Sequence, residues 1–124
     1  MSTLWQEFRS RRARQQRLVV AAGERSFRRF LALDGAVYED GALPRKTKEL
    51  MGLVASLVLR CNDCILYHLD QVLHLGATRA EVYEALAVGL IVGGSIVIPH
   101  LRFALDALEQ WEPEPDAADS PSGT

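Results

Sequence analysis

Cys61 and Cys64 are the only cysteines in this 124-residue chain, and His68 follows the second by four positions. Neighbours on a helical surface are three and four residues apart, so a helix through this stretch carries 61, 64 and 68 on one face. Two thiols and an imidazole so placed can make and break a disulfide, with the ring exchanging a proton with either sulfur directly or through a water. A thiol must ionise to act as a nucleophile, and a free cysteine does so with a pKa of about 8.5. A helix N-terminus favours the thiolate through its unpaired N–H groups and dipole. Asn62 and Asp63 are good first-turn residues, so the motif predicts a helix that begins there and holds Cys64 in its first turn.

A carboxylate would complete a proton relay, and Glu49 is the candidate, twelve residues before Cys61. On one continuous helix the two would lie about 18 Å apart. Glu49 therefore joins the cluster only if the chain reverses sharply around Leu59 to Asn62 and the two helices pack against each other. Otherwise it is an ordinary first-turn glutamate.

The elements that must position these groups are all helical. No stretch alternates with period two, and turn signals separate helix-period segments. A first helix is expected from about Thr3 to Ala22 and a second from about Arg25 to Leu33, followed by turns at Asp34-Gly35 and Asp40-Gly41. The next helix starts near Pro44, a residue suited to a first turn, and runs to about Leu59. Leu50, Leu53, Val54, Leu57 and Val58 make its apolar face, while Met51, Ala55 and Leu59 extend it, which predicts a central helix buried on most sides. The motif helix spans Cys61 to Leu75 and stops at Gly76. Thr78 and Glu81 form a capping box for a helix from Ala80 to about Val92. Gly89 and Gly93 suit the close approach of another helix. A last helix runs from about Ser95 to Trp111 with Pro99 in its first turns, and the tail from Glu112 is expected to be disordered. Residues 1–25 thus form a basic helical arm, 26–111 a single all-α domain, and 112–124 a tail.

The net charge of −2 implies no strongly charged partner, but its distribution is uneven. The first thirty residues carry eight arginines against Glu7 and Glu24. That arm suits a solvated helix face, or one pairing with an acidic surface of another subunit, better than nucleic acid, since no aromatic–basic interleaving or recognition-helix motif accompanies it. No secretory signal is visible, and the apolar run from Ala85 to Pro99 is shorter than the roughly 20 residues of a membrane span. A cytoplasmic protein is expected, and in that compartment a CxxC is catalytic or metal-binding rather than a structural staple.

Lys48-Glu49-Leu50, then Cys61-x-x-Cys64, then His68 resembles the alkylhydroperoxidase D-like branch of the carboxymuconolactone decarboxylase family. The resemblance runs from about Tyr38 to Leu108 and includes Val37 to Leu43, Lys46 to Leu50, the Gly76-Ala77-Thr78 turn and Gly93-Gly94. It implies an all-α fold and a thiol peroxidase that reduces hydroperoxides without a bound cofactor. By this resemblance Cys64 attacks the peroxide and becomes a sulfenic acid, Cys61 resolves it to the disulfide, and Glu49, Cys61 and His68 relay the proton with a bound water. An external dithiol, a lipoyl group on a carrier protein in some relatives, resets the pair. Single-domain relatives imply a homo-oligomer, a trimer or a hexamer built as a trimer of dimers. One departure matters: some alkylhydroperoxidases carry histidine just before the second cysteine, where this chain has Asp63. A carboxylate beside Cys64 opposes its ionisation.

Two other readings compete. Cys61, Cys64 and His68 could bind zinc if His74, His100 or a residue of a second subunit supplied a fourth ligand. His74 lies off the face of His68, which suits a solvated surface residue, and His100 suits a core or interface histidine. Alternatively, the pair could serve a redox-responsive binding module without peroxidase activity.

Overall fold

The computed structural model describes residues 3–115. Within them there is one all-helical domain and no strand. The six helices are α1 (Leu4–Ala21), α2 (Arg25–Val37), α3 (Arg45–Val58), α4 (Asn62–His74), α5 (Arg79–Gly93) and α6 (Ile98–Glu109), the last entered through a 3₁₀ turn at Ser95–Val97. Among the described residues no helix is long and apolar enough to cross a membrane.

The core forms where α3 packs against α4 on one side and α5 on the other, with α6 closing over α4. Leu53 and Leu57 of α3, Ile65, Leu69 and Val72 of α4, and Val82 and Leu86 of α5 are buried there. Gly89 explains how closely α5 approaches α3. A Cβ at that position would stand 2.8 Å from a methyl of Leu57, below any contact a real Cβ makes. Gly93 does the same for Val97. The expected packing role of this glycine pair is thus played inside the chain.

The boundary of α3 and α4 decides whether the sequence motif can assemble. Arg60 adopts a left-handed conformation (φ 59°), with its N–H on the Leu57 carbonyl and the Cys61 N–H on the Ser56 carbonyl. This pair of bonds is a Schellman ending. It turns the chain back at the place the relay needs. Gly76 ends α4 with the same bond pattern, Gly76 to Leu73 and Ala77 to Val72. The Thr78–Glu81 capping box then starts α5.

Three expectations are corrected. Asp34-Gly35 is no turn, because α2 continues through it to Val37 with Gly35 in a helical conformation. α3 is not buried on most sides, since Met51 and Leu59 are 55% and 75% exposed and Ala55 between them is exposed too. Two arginines of the first helix, Arg9 and Arg11, pair within their own chain, whereas Arg14 and Arg17 stay exposed as a solvated face. Arg9 grips Asp70 with two hydrogen bonds (3.2 and 2.7 Å), and Arg11 meets Asp63 at 2.9 Å.

α1 also contributes Trp5 and Phe8 to the core, and the Trp5 indole N–H donates to the Ala107 carbonyl of α6 at 2.9 Å. The residues following α6 are tied back as well. Arg9 donates to the Glu112 carbonyl, and the Glu114 N–H donates to His74. The rest of the tail, 116–124, lies outside the described residues.

Candidate active site

The four residues singled out by spacing are held by the α3–α4 hairpin. Cys61 is the N-cap of α4, and its Sγ accepts the Cys64 backbone N–H at 3.2 Å. The two sulfurs are joined as a disulfide, with Cα atoms 5.2 Å apart. Cys61 is half-buried whereas Cys64 is exposed.

One turn further along α4, His68 Nδ1 lies 2.7 Å from Glu49 Oε1. A carboxylate can only accept, so Nδ1 donates, and in the neutral ring this leaves the Nε2 lone pair free. Glu49 is fully buried, and its second oxygen has no hydrogen-bond partner among the described residues; Arg45 Nε approaches it to 3.7 Å. A buried carboxylate needs such partners to offset its desolvation.

Several neighbours went unread in the sequence. Gly52 faces the imidazole across the hairpin, and a Cβ there would stand 2.7–2.9 Å from three ring atoms. Tyr38 and Tyr67 flank the ring, with centroids 5.4 and 5.1 Å away. Burial pushes both phenols above the ordinary tyrosine value, and the Glu49 charge adds to this, so both are neutral at physiological pH. Tyr38 is delivered by the extra turn of α2. Lys48 fastens that end, donating to the carbonyls of Val37 and Glu39 at 2.9 and 2.7 Å. No periodicity marks these contacts; only Gly52, a glycine in the middle of a helical pattern, left a trace.

An open pocket of about 220 Å³ borders Cys64 and His68. Phe8 and Arg12 of α1, Asp34 of α2, and Asp63, Cys64, Tyr67 and His68 of α4 line it. Arg12 lies over the Tyr67 ring, 4.1 Å from its centroid. Cys64 and His68 thus line the same open pocket, and the buried Glu49 stands behind the ring.

The zinc alternative needs a fourth ligand that these contacts do not bring. His74 contacts the Asp70 carbonyl and side chain, and His100 bonds Asn62 Oδ1 at 2.8 Å. Among the described residues no group of three His, Cys, Asp or Glu side chains is arranged to hold a metal.

Comparison with known proteins agrees with the architecture. Residues 24–109 match the carboxymuconolactone decarboxylase family. An uncharacterized protein of Cupriavidus necator is 34% identical over 83 residues, 67% of this chain and 71% of that protein. An uncharacterized protein of the cox locus of Paracoccus denitrificans is 33% identical over 81 residues, 65% of this chain and 73% of that one. Among solved structures, a Thermotoga maritima protein superposes with a TM-score of 0.79 and 54% identity, covering 83% of this chain and 87% of that one. It is described as a carboxymuconolactone decarboxylase family protein connected, as a possibility, with an antioxidative response. A Legionella pneumophila protein of the same family gives a TM-score of 0.77 at 29% identity, with 83% and 92% coverage. Fold, matched span and helical arrangement agree, and the chain belongs to the carboxymuconolactone decarboxylase family.

Proposed function

We propose that this protein is a thiol peroxidase that reduces hydroperoxides with the Cys61–Cys64 pair and is reset by an external dithiol. The observation that carries the reading is the Glu49–His68 hydrogen bond of 2.7 Å beside a pocket shared by His68 and Cys64. It orients an imidazole so that its free nitrogen can take the proton of a thiol.

The steps balance as follows. His68 accepts the Cys64 proton, and the thiolate attacks one peroxide oxygen. The O–O bond breaks, the alkoxide takes a proton from the imidazolium, and an alcohol leaves. Cys64 is now a sulfenic acid. The Cys61 sulfur attacks Cys64, an S–S bond forms, and hydroxide departs as water with the Cys61 proton. In this reading the Cys61–Cys64 disulfide is the product of that step. A dithiol then returns two electrons and becomes a disulfide itself, and a lipoyl group on a carrier protein is the kind of reductant that fits. Cys64 suits the first role because it is exposed and lines the pocket. Cys61 suits the second because the Cys64 N–H already points at its sulfur. We place this cycle in the reducing cytoplasm, where such a pair is regenerated.

The decisive experiment mixes reduced protein with an organic hydroperoxide and counts free thiols. Two thiols should be lost per chain and recovered with dihydrolipoamide, and the Cys64→Ser variant should show no loss of paired thiols. Retention of both thiols at micromolar peroxide would leave a redox-responsive binding module as the better reading.

We further propose that the chain works as a homo-oligomer, a trimer or hexamer. Ile91 and Val92 of α5 are 83% and 67% exposed, and Phe30 of α2 is 67% exposed. An apolar groove of about 440 Å³ also runs between α5 and α6, lined by Leu86, Leu90, Leu101 and Leu105. Such surface on a small domain marks an association site. Analytical ultracentrifugation at micromolar concentration should give three or six chains per particle, and a monomer would refute the assembly.

A further inference from the structure

The sequence sets a carboxylate, Asp63, directly beside the cysteine expected to ionise. The structure supplies a counter-charge. The Arg11 guanidinium, from the second turn of α1, meets Asp63 Oδ1 at 2.9 Å. Arg11 lies outside the segment that matches the family, and α1 is held in place independently by Trp5, Phe8 and the Arg9–Asp70 pair. We propose that Arg11 is a charge-balancing residue for Cys64. By pairing with Asp63 it cancels the like-charge repulsion that the carboxylate would impose on the thiolate. The proposal rests on the peroxidase reading only for its biological purpose; the electrostatic claim concerns the sulfur itself.

Other charges face the same sulfur. Arg12 of α1 and Asp34 of α2 line its pocket, as do Tyr67 and His68 of α4, and Glu49 of α3 stands behind the histidine. Arg12 is engaged with the Tyr67 face and Glu49 with the imidazole. Asp63 is the carboxylate adjacent in sequence, and Arg11 is its partner. The pair is exposed at the rim, with side chains 42% and 66% accessible. Its effect must therefore be modest and salt-dependent.

The test follows Cys64 alone, in a reduced Cys61→Ser protein, by the rate of iodoacetamide alkylation against pH. No peroxide is involved, so failure of the peroxidase reading and failure of this proposal give separate results. Arg11→Gln should slow alkylation at pH 7 by about threefold and move the pH midpoint upward by about half a unit. Asp63→Asn should speed it by a similar factor. The double variant Asp63→Asn/Arg11→Gln, with both charges gone, should return to about the original rate. Arg11→Lys should restore the original rate, because a point charge suffices at an exposed site, and 1 M salt should bring the Arg11→Gln rate back toward the original by screening the uncompensated carboxylate. If Arg11 mattered only by anchoring α1, the slowing in Arg11→Gln would persist undiminished at 1 M salt. That result, or an Arg11→Gln rate equal to the original, overturns the proposal.

Discussion

His68 can reach Glu49 because position 52 carries no side chain. In Gly52→Ala the new methyl would collide with the ring, and the cheapest relief is to swing the imidazole away from the carboxylate. The helix itself should gain, since alanine is favoured over glycine by about 1 kcal/mol in a helix interior. The expected outcome is a folded protein, by circular dichroism, whose peroxide kcat/KM falls roughly a hundredfold, the lower end of the scale for a lost general base. Full activity in that variant would show that the Glu49–His68 contact is dispensable. The cysteine–histidine face was legible in the sequence because three residues on one helix need only the helical period. Gly52 was not legible as a site residue, because the ring it accommodates arrives from another helix.

At the level of elements, the decisive feature is the ending of α3. A relay through Glu49 could be posed from the sequence but not settled, because the reversal is made by Arg60 rather than by a glycine. An arginine gives no sign that it adopts a left-handed backbone, whereas Gly76, ending α4 in the same way, was read at once. That conformation costs a non-glycine residue about 1 kcal/mol. Arg60→Gly should therefore stabilise the protein by up to about 1 kcal/mol, less the entropy glycine adds to the unfolded chain. Urea denaturation would show the midpoint rising, and a fall would mean that the arginine side chain makes a contribution beyond its backbone. The Asp34-Gly35 dipeptide misled in the opposite direction. Its composition suggests a turn, yet the helix continues and carries Tyr38 to the imidazole.

Across the whole molecule, the all-α architecture and five of the six helix starts followed from capping residues and periodicity. What joins α1 to the rest did not, because its partners lie 52 to 103 residues away in the chain. Asp70 is the chief joint. It accepts from Arg9 of α1 and from the Trp111 indole after α6 at 2.9 Å, and Arg9 and Asp70 are only 11% and 9% exposed. Removing one member of a buried ion pair strands the other. Asp70→Ala should thus lower unfolding stability by about 3–5 kcal/mol, measured by chemical denaturation. A loss under 1 kcal/mol would show that Arg9 finds solvent without cost.

The only two tryptophans of the chain, Trp5 and Trp111, both stand at this seam, one on the Ala107 carbonyl and the other on Asp70. The protein therefore carries its own optical gauge. Intrinsic emission reads the docking of α1 and of the segment after α6 without any label, while the four residues proposed for chemistry contain no indole that could distort the signal.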